Sequence, residues 1–247
     1  MSKQDNLHDF LTDIADAVRE KKGTTEPINA QNLSEEIRSI ESGEKVNTFG
    51  DVMVDNNGRG TEVISEMIVS EGVESIVDQG YYYCRFAHIS LPTTLKHIGS
   101  QAFYYCSNLS TITLPDNVES IGTYAFRGCI KFKNLYCPDK IVSYPNWSFG
   151  GCNSMRCAVL SGDVTYIGTN SFASQNLECF VLRGVTSVAT LESSAFNTSK
   201  IATGTGYIYV PDRLVDSYKS ATNWSAYADQ IRPLSEYAYL DFADPVV

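Results

Sequence analysis

Apolar positions in the middle of this chain return in a fixed block. The clearest copy reads Leu109-x-x-Ile112-x-Leu114-Pro115, followed by Val118, Ile121, Gly122, Ala125-Phe126 and Cys129. Ile112 and Leu114 alternate with Thr111 and Thr113, the period-two pattern of a half-buried strand. Pro115 has no ladder donor and ends that strand. The aromatic positions Phe103, Phe126, Phe149, Phe172 and Phe196 follow one another at intervals of 23, 23, 23 and 24 residues. One block holds a strand, a turn and a packing segment, too little to bury its own apolar face. The period therefore predicts stacked coils sharing a continuous core.

Counting back from each aromatic places the inward columns. Fourteen residues before it stand Ile89, Ile112, Leu135, Ala158 and Leu182, and twelve before it Leu91, Leu114, Cys137, Leu160 and Gly184. Eight before it stand Leu95, Val118, Ile141, Val164 and Val188, and five before it Ile98, Ile121, Tyr144, Ile167 and Leu191. Repeat six carries one extra residue, and the cysteine column passes to Gln175 and Ser199 in the last two repeats.

The ends follow a different rhythm. Leu7, Phe10, Leu11, Ile14 and Val18 recur at helical spacing, and Asn29 can cap a second helix carrying Leu33, Ile37 and Ile40 up to Gly43. Asn57-Gly58 between Val52, Val54 and Val63 predicts a hairpin that closes the first sheet edge. Residues 64–87 read as a degenerate first repeat. Tyr207 to Pro211 repeats the strand phase. Asp212 is then expected to cap a helix through Leu214, Val215 and Tyr218, and a second helical turn through Trp224, Tyr227 and Ile231 stops at Pro233. The remaining tail is expected to pack loosely. These readings divide the chain into 1–43 (helical preface), 44–63 (hairpin cap), 64–205 (repeats) and 206–247 (last strand, helical cap and tail).

The pattern L-x-x-I-x-L-P…V-x-x-I-G-x-x-A-F-x-x-C resembles the BspA-like leucine-rich repeat. Ile112, Leu114, Pro115, Val118, Ile121, Gly122, Ala125, Phe126 and Cys129 all match it. The resemblance implies a leucine-rich-repeat solenoid, α/β to mostly β, with a parallel sheet on one face and a helical C-terminal cap. It also implies surface-associated adhesion proteins more often than enzymes. Separately, LTDIADAVREKKGTTEPINAQNLSEEIRSI is similar to an N-terminal segment of phage and prophage tail-associated proteins of gut bacteria. That similarity implies an alternative: a virion or assembly component self-associating through residues 1–43.

A formal net charge of −10 with scattered Lys and Arg argues against nucleic acid as a partner. No apolar run reaches membrane-span length, so no membrane insertion is expected. MSKQDNLHDF lacks the order of a signal peptide. Cell surface or virion is suspected from the resemblances alone. Cys84, Cys106, Cys129 and Cys152 share one column, either as a ladder of small buried side chains or as bridges between rungs. His8, His88 and His97 form no metal motif, and neither a phosphate loop nor a G-x-S-x-G turn occurs. No enzyme activity, cofactor or metal is expected.

If the inward columns are right, the residues thirteen and fifteen before each aromatic point outward. They are His88 and Ser90, Thr111 and Thr113, Asn134 and Tyr136, Cys157 and Val159, Val181 and Arg183, with Tyr207 and Tyr209 at the end. This outer row is either a solvated face or the surface that takes a protein or glycan ligand. Tyr82, Tyr83, Tyr104 and Tyr105, beside the core positions Tyr81 and Phe103, form a second candidate: rim packing, or a surface for stacking on sugars or protein.

Overall fold

Each block of the sequence builds one coil with two short strands. The computed structural model describes residues 66–239. The chain separates into two units, Met1–Met53 and Val54–Val247, and the described residues lie in the second. The expected helices of residues 1–43, the hairpin of 44–63 and the last residues of the tail lie outside them.

Along one side of the coils run β1 (Glu66–Ile68), β3 (His88–Ser90) and β5 (Thr111–Ile112) as one sheet. They are followed by a five-stranded sheet of β7 (Asn134–Cys137), β9 (Cys157–Leu160), β11 (Cys179–Leu182), β13 (Tyr207–Val210) and β14 (Ile231–Pro233). Along a second side run β2 (Ser75–Ile76), β4 (His97–Ile98) and β6 (Ser120–Ile121), then β8 (Ser143–Tyr144), β10 (Tyr166–Ile167) and β12 (Thr190–Leu191). Every pairing is parallel. The fold is a mostly-β, parallel-sheet solenoid of about 7 turns, leucine-rich-repeat-like, with one α-helix among the described residues, α1 (Val215–Ser220), near its C-terminal end.

The inward columns are buried almost throughout. The aromatic column forms a stack down the axis. Tyr81, Phe103, Phe126, Phe149, Phe172 and Phe196 follow one another at 5.4, 4.9, 5.0, 5.7 and 6.3 Å between ring centroids. Beside it the cysteine column is a ladder of thiols, with no disulfide. Cys106, Cys129 and Cys152 donate to the carbonyls of Tyr81, Phe103 and Phe126 in the preceding coil, at 3.0, 3.2 and 3.2 Å. This position suits a small donor that can be desolvated. In the next coil Ser174, not the exposed Gln175, takes it, donating to the Phe149 carbonyl at 3.0 Å.

Two expectations need correction. In the sixth repeat β11 pairs with β9 so that Phe180 faces Ala158 and Leu182 faces Leu160. Leu182 therefore holds the second inward column, Phe180 holds the first, and Gly184 lies beyond the strand. The extra length sits between strand and aromatic, so counting back from Phe196 slips the register by two. The outward residues of β11 are thus Cys179 and Val181, and Arg183 follows the strand.

The second correction concerns the exit. Ile231 begins β14, which pairs with β13, where a helical turn was expected. The described part of the tail does not pack loosely: Leu234–Tyr239 forms a 3-10 turn whose Tyr237 is buried. Asp212 is the first residue of its 3-10 turn, with Pro211 at the cap position. Its carboxylate instead accepts the Ser235 N–H at 3.0 Å. The cap also satisfies the last coil, whose polar backbone groups have no further coil to pair with. Trp224 Nε1 donates to the Ala189 carbonyl (2.7 Å), Asn223 to that of Leu191 (2.7 Å), and the Ala189 N–H donates to the Tyr218 hydroxyl (3.2 Å).

Candidate functional site

Two surfaces can meet a partner: the outer face of the strands and the turn side that carries the aromatic column. On the first, the N-terminal half is open. His88, Ser90, Thr111, Thr113 and Asn134 are exposed, and His88 Nδ1 lies 2.8 Å from Thr111 Oγ1. Tyr136 is half-buried. Beyond it the expected row closes. Cys157, Val159, Val181 and Tyr209 are buried, in a small apolar cluster completed by Cys179 and by Tyr237 of the C-terminal turn. That turn lies across the sheet as a strap. These four residues point to the outer side, as the phase requires, yet they are no open docking surface. Cysteine, valine and tyrosine there are the composition of a covered face. Arg183 and Tyr207 remain exposed but hold the cover: the Arg183 guanidinium lies 5.5 Å from the Tyr237 ring centre, and that of Arg232 lies 4.9 Å from Tyr207.

The turn side is different. Each of the first four coils passes its aromatic inward between two left-handed residues. They are Gln79 and Tyr83, Gln101 and Tyr105, Tyr124 and Gly128, then Trp147 and Gly151. The flanking side chains project outward and align from coil to coil. Tyr82 stacks on Tyr104 at 5.0 Å and 2° between planes, and Tyr83 on Tyr105 at 5.4 Å and 8°. Tyr124 and Trp147 continue the row, parallel within 12° at 6.4 Å. Arg127 lies among them, its guanidinium 4.2 Å from the Trp147 ring centre, 5.5 Å from Tyr124 and 5.7 Å from Tyr104.

This ridge has a conformational cost. A left-handed L-residue costs on the order of 1–2 kcal/mol, which glycine avoids. The third and fourth coils use Gly128 and Gly151 where the first two use Tyr83 and Tyr105. Stacking returns about 0.5–1.5 kcal/mol per pair, so the tyrosines are offset but not favoured by the backbone. Their ring faces are largely occupied. Tyr105 is sandwiched between Tyr83 and Gly128, where an added Cβ would stand 2.9 Å from the ring. What the ridge presents is ring edges and phenol oxygens. Tyr83 and Tyr105 are 37% and 38% exposed, values that leave surface for a partner.

The sequence pattern pointed to the four tyrosines and missed Tyr124, Arg127 and Trp147. Their phase was the signal: Arg127 stands one after the aromatic, the place from which Tyr82 and Tyr104 project, and Tyr124 and Trp147 stand two before it, where the first two coils carry Gln79 and Gln101. Trp147 in particular sits in the segment that departs from the repeat pattern.

Of the carboxylates that join one turn of the chain to another, three are held below their usual pKa range. The backbone N–H and the hydroxyl of Thr186, each 2.8 Å away, hold the Asp163 carboxyl below its usual 3.8. Bonds from Ser235 do the same for Asp212. Partial burial pushes Glu178 up, but hydrogen bonds from Lys200 (2.6 Å) and Arg156 outweigh it and hold the group below its usual 4.5. All three folded values lie below the unfolded ones, so their stabilisation is complete above the unfolded values and lost as pH falls through the folded ones. The melting temperature should fall once pH drops below about 4, and Asp212→Asn should flatten part of that fall. A melting temperature that rises on acidification through this window would contradict it.

Among the described residues no three His, Cys, Asp or Glu side chains converge as metal ligands, and no helix is long and apolar enough to cross a membrane. The family described as BspA type leucine rich repeat region matches residues 74–202 in 6 copies. Among solved structures, the chain is similar to the pneumococcal vaccine antigen PcpA, with TM-score 0.50 and 14% identity over 70% of this chain and 40% of that one. It is also similar to the T. pallidum leucine-rich-repeat protein TpLRR, with TM-score 0.49 and 22% identity over 57% of this chain and 72% of that one. A leucine-rich cell surface protein from Faecalibacterium prausnitzii A2-165 aligns with TM-score 0.47 and 21% identity over 55% of this chain and 37% of that one. The chain thus spans well under half of the pneumococcal and Faecalibacterium chains. At these identities the likeness reaches the fold alone. No curated protein matches the chain.

Proposed function

We propose, from the premise that this chain belongs to the BspA-type leucine-rich-repeat family, that it is a non-catalytic, adhesion-type protein-binding module whose contact surface is the aromatic ridge of the turn side. The observation that carries this is the self-stacked row Tyr82–Tyr104 and Tyr83–Tyr105, continued by Tyr124 and Trp147 around Arg127. Tyr, Trp and Arg are the residues enriched at energetic centres of protein interfaces. Here they are ordered before any partner arrives, so binding loses little side-chain entropy. A sugar ring stacks on an open aromatic face, and the faces of Tyr104 and Tyr105 in the middle of the row are taken by Tyr82 and Tyr83 on one side and by Arg127 and Gly128 on the other. Protein is therefore the better-fitting class of ligand. The open strip His88, Ser90, Thr111, Thr113 and Asn134 is the secondary surface. A surface location, implied by the family resemblance, fits this role.

The test is a binding screen of the intact chain against immobilised extracellular-matrix proteins and a glycan array. For any protein bound, Tyr104→Ala with Arg127→Ala should weaken affinity at least about thirtyfold, as loss of a hot spot worth 2 kcal/mol does. Thr111→Ala with Thr113→Ala should leave it within about twofold, since single exposed hydroxyls contribute little. Loss in the threonine pair with retention in the ridge pair would move the site to the sheet. Binding to glycans alone would overturn the ligand class.

A further inference from the structure

The turn side is almost free of carboxylates. The whole chain carries 29 Asp and Glu against 19 Lys and Arg. The segments that build this side, coil by coil, are residues 78–85, 100–107, 123–130, 146–153 and 169–175, and between them they hold one acid, Asp78. That acid is engaged within the fold, where its Oδ1 accepts the Ser100 N–H at 2.7 Å. Arg127 stands half-buried in the middle of this strip. Lys96, Arg156 and Lys200 each meet a glutamate, whereas Arg127 pairs with no carboxylate among the described residues. Rings hold its guanidinium instead, at 4.2 Å from the Trp147 centre and 5.5 Å from that of Tyr124. Its Nη1 also donates to the Tyr104 hydroxyl, at a long 3.4 Å.

Aromatic faces attract a cation, but they leave its fork of N–H donors short of acceptors. A partner that covers Arg127 strips water from those donors and binds at a loss unless it supplies an acceptor. A carboxylate matches the fork with two parallel bonds. The Tyr104 hydroxyl accepts from Arg127 and keeps its own proton to donate to the same anion. The surrounding rings exclude water, which strengthens the pair. We propose, on the footing that the ridge is the contact surface, that it selects an unmodified protein segment whose Asp or Glu docks on Arg127 and Tyr104. The rest of the surface works against acidic partners in general, since the chain's net charge is −10. Overall acidity therefore gains a ligand nothing, and one carboxylate placed on Arg127 gains it much. That difference is the source of specificity.

The experiment pans random peptides displayed on phage against the intact chain. Peptides that the parent retains and Tyr104→Ala with Arg127→Ala loses report the ridge. Among them an Asp or Glu should recur at a fixed position beside an apolar residue. For the tightest of these, made synthetically, replacing that acid by its amide should weaken binding at least about thirtyfold. This arm needs no change to the protein. Arg127→Met should cost as much, and on that variant the amide peptide should lose no more than about twofold further, because both changes remove one pair. Arg127→Lys keeps the charge without the fork and should still lose about tenfold. Tyr104→Phe keeps the stacked ring and should lose about tenfold for the acidic peptide, and less for its uncharged amide. Ridge-dependent peptides with no recurring acid, or an amide peptide that binds as the acidic one does, would overturn the carboxylate and leave the ridge as the contact surface. Peptides that all survive the double ridge variant, or no peptide retained by the parent, would overturn the ridge and the carboxylate with it.

Discussion

Phe126→Ala should destabilise the solenoid by about 3–5 kcal/mol, the usual cost of emptying a buried phenylalanine site. The ring is fully buried between Phe103 and Phe149, at 4.9 and 5.0 Å, with Phe132 at 6.4 Å. Neighbouring coils cannot collapse into the gap, because their backbones are held by ladders on the other sides of each turn. In a stacked array stability is the sum of coils and the interfaces between them, so a weak central interface divides the array. Urea unfolding should show a lower midpoint and, if the halves uncouple, a second transition. Cys129→Ser is the comparison. Serine already does this work at Ser174, and a hydroxyl can keep the bond to the Phe103 carbonyl. Its cost should stay within about 1 kcal/mol. If the two variants lost equal stability, the aromatic stack would not be the main support of the fold.

Gly184→Ala should be nearly as damaging, for a different reason. A Cβ at Gly184 would stand 1.9 Å from the Ser161 carbonyl oxygen and 2.9 Å from the carbonyl atoms of Gly162. All of these are backbone, so no side chain can rotate away. Relief requires the chain after β11 to move off the chain after β9, next to the Arg183 that holds the strap. The expected cost is about 3 kcal/mol, the upper end of the overpacking range. Gly151→Ala isolates the other role of glycine. Its φ of +76° is left-handed, but the nearest atom to an added Cβ is 3.6 Å away, so only the conformational cost of about 1–2 kcal/mol applies. Thermal unfolding of both variants should order them Gly184→Ala below Gly151→Ala. The reverse order would mean that close approach after β11 is not what demands glycine.

The repeat was legible because its signal is redundant. Ile98, Ile121, Ile167 and Leu191 each report the same column, so one atypical residue cannot hide it. The sixth repeat shows the limit of such counting. Its extra length falls between strand and aromatic, and only ladder pairing shows that Phe180 and Leu182, not Leu182 and Gly184, face inward. By spacing alone the cysteine column fits either a ladder or a set of bridges. Hydrogen bonds to carbonyls one coil back make it a ladder. The ridge was half legible: paired tyrosines stand out in the sequence, whereas Arg127 and Trp147 join them only once coils are stacked.

Alternation of side chains along a strand is local geometry, so the chain's own pattern determined which residues point to the core and which point away, from Ile89 to Ile208. Whether an outward residue meets solvent is not local. Thr113 and Val159 occupy equivalent outward places, and one is exposed while the other is buried, because Leu234–Tyr239 folds back over the second and not the first. That contact joins residues some 80 positions apart, and no period carries it. Tertiary packing alone decided where the sheet stays open, why Asp212 faces Ser235, and how Cys157 and Cys179 came to lie together under Tyr237.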